Sequence, residues 1–92
     1  MPTTSQREQQ RDDERQEREK LNALIGERVI HTLGKPGGLY KVQVRRLWGD
    51  YYRVNVLIGE DVVSAKMANS YFVEADSDGN IVASTPKITK RY

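Results

Sequence analysis

The chain has 92 residues, 37% of them hydrophobic and 30% charged, with a formal net charge of +2; that is one domain's worth of sequence. It holds no cysteine and one histidine, which excludes disulfides, thiolate metal sites, cysteine nucleophiles and any histidine-cluster metal centre. Its apolar runs are only a few residues long and its first ten residues are polar, so neither a membrane span nor a secretory leader is expected, and the chain reads as cytoplasmic.

Residues 1–20 form a polar charged arm, helical or disordered. Five basic residues (Arg7, Arg11, Arg15, Arg18, Lys20) stand there against six acidic ones, and Gln, Glu, Arg and Lys are good helix formers. Ser5 and Glu8 have capping-box spacing. Glu14 and Arg18 form an i,i+4 pair in the favourable order. The arm has no apolar face, and only Leu21, Leu24 and Ile25 offer a docking point before Gly26, which suits the left-handed residue after a helix. A helix anchored near residue 25 and fraying toward Met1 is therefore expected.

Residues 21–86 read as a single α+β domain. Five strands are expected: Glu27–Leu33, Leu39–Trp48, Tyr51–Ile58, Val62–Ala75 and Asn80–Thr85, each bounded by Gly, Pro, Asp or Ser. Connections this short force antiparallel neighbours. The fold class is thus α+β, an N-terminal helix followed by a four- to five-stranded antiparallel β-meander, with a small five-stranded β-barrel as the alternative. A period of two predicts Val44 opposite Val56, Val42 opposite Ile58 and Trp48 opposite Tyr52. It also sets Ile58 opposite Val63, Val54 opposite Met67, and Tyr71 and Val73 beside Ala83 and Ile81. The predicted core face is Val42, Val44, Val54, Val56, Ile58, Val63, Met67, Tyr71, Val73 and Ile81, joined by Val29, His31 and Leu33.

The second face of that sheet is mixed. Leu57, Val62, Phe72 and Val82 share it with Lys41, Gln43, Arg45, Arg53, Asn55, Ser64 and Lys66. Either a bulge near Ala68-Asn69-Ser70 turns Phe72 inward, or an apolar patch stays exposed, and such patches mark contact surfaces. A domain of this size is also marginal alone. A protein-interaction module that self-associates as a homo-oligomer is therefore the leading expectation, with Leu57, Val62, Phe72 and Val82 as the contact residues and Arg45 and Arg53 at the rim.

The alternative is nucleic-acid binding. Residues 28–53 carry six basic residues against Asp50 alone, and Trp48, Tyr51 and Tyr52 sit at the same hairpin tip. Basic strands with aromatics can follow phosphates and stack bases, through Lys41, Arg45, Arg46, Trp48, Tyr51 and Arg53. Lys and Arg also guard exposed edges against aggregation. Residues 54–86 hold one basic residue against five acidic ones, so the two halves could instead complement each other between copies.

No catalytic, cofactor or metal motif is present, and an enzyme is not expected. Asp76-Ser77-Asp78-Gly79-Asn80 reads as a turn rather than a calcium loop, because its glycine is misplaced and Lys87 stands where the closing Glu belongs. Gly34-Lys35-Pro36-Gly37-Gly38 precedes a strand, so it is no P-loop. His31 alternates with Val29 and Leu33 and reads as structural. Residues 87–92 form a short basic tail whose Ile88 and Tyr92 are suited to dock on the sheet.

Overall fold

The computed structural model describes the backbone of residues 4–92 and the side chains of residues 14–92; the Ser5–Glu8 capping box lies outside those side chains. One helix, α1 (Thr4–Leu33), precedes four strands, β1 (Leu39–Trp48), β2 (Tyr51–Ile58), β3 (Lys66–Ala75) and β4 (Ile81–Thr85). They form one open antiparallel sheet in the order β1-β2-β3-β4. The fold is the expected α+β meander, and the sheet does not close into a barrel.

The helix runs further than expected. Glu27–Leu33 is its C-terminal part and not a first strand. Leu21, Ile25, Val29 and Leu33 recur every four residues, the spacing of one helical face. Ile25, Val29 and Leu33 are completely buried, each contributing about 1.5–3 kcal/mol. His31 lies off that face and is exposed. Gly26 does not end the helix: it is buried inside it, and a Cβ there would lie 3.3 Å from Val44 and 3.4 Å from Val42. The terminating glycine is Gly34, with φ +91, whose N–H donates to Ile30 O at 2.8 Å, as a helix C-cap requires. Residues 14–20 are exposed throughout.

The core lies between α1 and the inner face of the sheet. It joins Ile25, Val29 and Leu33 to Tyr52, Val54, Val56, Tyr71, Val73, Ala75 and Ile88. The tail closes it. Ile88 is buried and its N–H donates to Ser84 Oγ, while the N–H groups of Arg91 and Tyr92 both donate to Leu33 O, at 2.8 and 3.2 Å. These satisfy a carbonyl that a helix end leaves open.

Register departs from expectation by whole residues and through bulges. Val44 pairs with Val54 and Val42 with Val56, a slip of two that keeps the same face inward. Gly49-Asp50 is a two-residue turn, reconciled with that face by a bulge between Arg46 and Trp48. Val54 faces Tyr71 and not Met67. Val73 faces Ser84 and Ala75 faces Ile81. The fourth strand expected from the sequence begins at Lys66 rather than Val62. Asp61 Oδ1 accepts from the N–H groups of Val63 and Ser64, and Ser64 Oγ accepts from those of Glu60 and Asp61, so this loop satisfies its own backbone and competes with the ladder. Val63 and Met67, predicted for the core, are 91% and 57% exposed.

Candidate functional site

The outer face of the sheet, away from α1, carries the most unusual group of side chains. The bulge in β1 creates it. Arg46 pairs with Tyr52, whose ring is buried on the inner side, but the inserted residue Leu47 then sets Trp48 opposite Tyr51. A bulge shifts the alternation by one, so Trp48 leaves the face of Val42 and Val44 and projects outward. The predicted pairing of Trp48 with Tyr52 is corrected accordingly.

Three aromatic rings from three strands meet there. Tyr51 and Phe72 stack with centroids 5.3 Å apart at 17°. Trp48 tilts against both, at 5.9 Å from Tyr51 and 6.1 Å from Phe72. Trp48 is 61% exposed; Tyr51 and Phe72 are half-buried. The expected bulge in β3 does exist, between Asn69 and Met67, but it leaves Phe72 on the outer face. An apolar patch therefore stays open.

Cations border the rings. Arg53 pairs with Arg45 on one side and Phe72 on the other, and Phe72 pairs with Thr85. The neighbouring row is Trp48, Tyr51, Glu74 and Ala83. Among the described side chains the only ion pair is Arg18–Glu14 at 4.0 Å, so no described carboxylate neutralises Arg45 or Arg53. Arg53 Nη1 reaches Ser70 Oγ at 3.4 Å, and Ser70 donates to Asn55 Oδ1 at 2.7 Å. Glu74 is the one carboxylate in these rows.

The structure brings together Arg45, Trp48, Tyr51 and Arg53 of the residues expected to contact nucleic acid, and adds Phe72. Lys41 lies toward the far end of β1, opposite Leu57. Arg46 belongs to the helix side: its Nε donates to Gly49 O at 2.9 Å, and it borders a depression with Arg18 and Leu21. The four residues expected to contact protein are dispersed. Leu57 pairs with Met67, away from Phe72. Val62 stands 75% exposed in the β2–β3 loop, and Val82 is 62% exposed at the irregularity of β4, the edge strand. Phe72 is legible in the sequence as an outer-face residue; its partnership with Trp48 depends on the bulge, which no turn signal marks.

Nothing described assembles a metal centre. Among the described residues no three His, Cys, Asp or Glu side chains come together. Asp76 closes the β3–β4 turn, accepting from the N–H groups of Asp78 and Asn80 and from Asn80 Nδ2. The Asn80 N–H foremost, with the Asn80 side chain, the Asp78 N–H and the charge of Arg28, holds its carboxyl below the ordinary 3.8. No described helix is long and apolar enough to cross a membrane. Protein-family models, curated proteins and solved structures provide no match to this chain.

Proposed function

We propose that this is a soluble, cytoplasmic, non-enzymatic binding protein whose outer sheet face takes single-stranded nucleic acid. One observation carries the reading: an Arg45–Arg53 pair, with no carboxylate partner among the described residues, borders a cluster of three aromatic rings. Exposed rings accept unstacked bases whatever their identity, and guanidinium groups bind phosphate. Trp48 and Phe72 supply stacking surface, Tyr51 holds them in place, and Arg45 and Arg53 take backbone phosphates, with Lys41 extending the track. An open four-stranded sheet suits a single strand, whose bases can be splayed onto it. Fluorescence anisotropy of a labelled single-stranded dodecamer tests this, with unlabelled single-stranded and duplex DNA as competitors. Saturable binding that the single strand competes better than the duplex supports it; no binding at low salt refutes it.

A protein contact on the same face is the second reading, favoured by the half-buried Leu57 and Phe72 there. Aromatic and arginine side chains also anchor protein interfaces. Self-association through this face would block the nucleic-acid site, so oligonucleotide that dissociates an oligomer would indicate that both use one surface.

A further inference from the structure

We propose that a second copy of this chain docks along the open edge of β1 and the adjoining flank of α1, extending the sheet across a two-fold axis. The inference does not depend on what the outer face binds. Strand β1 is a sheet edge. Among the described residues no backbone hydrogen bond outside the β1–β2 ladder reaches residues 40–48. The core also stops one strand short. Val54 and Val56 are completely buried, whereas their partners Val44 and Val42 are only partly so. The opposite side of the core has the tail and Ile88; the β1 side has an open groove of about 830 Å³, floored by Ala23, Gly26, Ile30, Leu39, Val42 and Val44.

An edge with free donors and acceptors beneath an apolar shoulder needs a partner offering both. A two-fold copy offers them by symmetry, since an isologous interface repeats one surface on both sides. Charge narrows the register. The β1 bulges involve Tyr40 and Leu47 and leave residues 41–46 regular. Same-face pairing in a two-fold duplex must centre on a residue. Centring on Gln43 sets Lys41 opposite Arg45 twice, which repels. Centring on Val44 sets Val44 against itself and Gln43 against Arg45, with no like-charge pair. Gly26 lies against Val42 and Val44, so this axis brings the two helices side by side, antiparallel, near Ala23. Lys20 and Glu27, both exposed and seven residues apart on one flank, then face each other across the axis in two Lys–Glu pairs.

Sedimentation equilibrium of the full chain tests this, with hydrogen exchange as a second readout. The expected mass is twice 10.6 kDa, with the amides of residues 41–46 slowing as protein concentration rises. Ala23→Arg and Glu27→Lys should each weaken the dimer at least ten-fold with unchanged circular dichroism. The double variant Lys20→Glu/Glu27→Lys should restore it, and Phe72→Glu should leave it intact. A monomer at every concentration overturns the proposal. So does a dimer that is indifferent to Ala23→Arg and Glu27→Lys, or one that Phe72→Glu dissolves.

Discussion

Arg45 and Arg53 stand directly opposite each other on β1 and β2, on the outer face, with Phe72 next in the row. Like charges so placed are destabilising, and no described carboxylate pairs with either. Local rules broken without compensation concentrate at functional sites. Replacing either arginine by Gln should therefore leave folding stability unchanged or raise it by about 0.2–1 kcal/mol. The same change should weaken single-strand binding and lower the salt slope by about 0.7 for each phosphate no longer neutralised. Thermal melts and a salt titration of each variant check the two halves together.

Phe72 separates stacking from mere charge. Its ring stacks on Tyr51 on the solvent side of the sheet, so Phe72→Ala should leave the chain folded. It should cost about 1–3 kcal/mol of single-strand binding, the usual effect of removing one stacked base. Isothermal titration of the variant against a single-stranded oligonucleotide measures it; unchanged affinity would mean that the ring touches no base.

Glu74 lies opposite Tyr51 in the aromatic row, where its charge opposes a phosphate backbone. Glu74→Gln should tighten binding at low salt, with the gain fading as salt screens the repulsion. Competition anisotropy at two ionic strengths shows this directly.

Gly34 has φ +91, and a Cβ there would run into the backbone carbonyl of Tyr92. Gly34→Ala should destabilise the fold by more than about 1 kcal/mol, measured by urea unfolding, and should free the amides of Arg91 and Tyr92 to exchange. Tail and helix end are thus one structural unit.

Acid should loosen the β3–β4 turn. The Asp76 carboxyl is held below its ordinary 3.8 by the Asn80 N–H and its companions. A lowered folded value means stability that is present above 3.8 and lost as pH falls through the folded value. Melting temperature should fall as pH drops below about 4, less steeply in Asp76→Asn. Asp61, lowered chiefly by the Ser64 N–H, acts in the same direction and leaves the variant a residual slope.

Much of this architecture is legible in the sequence where the local signals agree. β1 and β2 fall at the expected bounds because valines alternate and Gly49-Asp50 marks the turn. Residues 27–33 mislead, because Val29, His31 and Leu33 satisfy a period of two while Ile25, Val29 and Leu33 satisfy a helical one; Gly26, read as a helix end, serves close packing against Val42 and Val44 instead. Val62 and Val63 look like strand, yet Asp61 and Ser64 claim the local backbone. Arg45 and Arg53 can be placed on one face from alternation alone. Trp48 cannot, since a one-residue bulge decides which face it joins, and bulges leave no compositional mark here.

The most direct measurement is Trp48 emission during titration with a mixed-sequence single-stranded oligonucleotide at low and moderate salt. Trp48 is the only tryptophan and sits within the aromatic cluster beside Arg45 and Arg53. Saturable quenching that weakens with salt, and that Arg53→Gln diminishes, is the expected result. Emission that stays flat at low salt would contradict the nucleic-acid reading of this face.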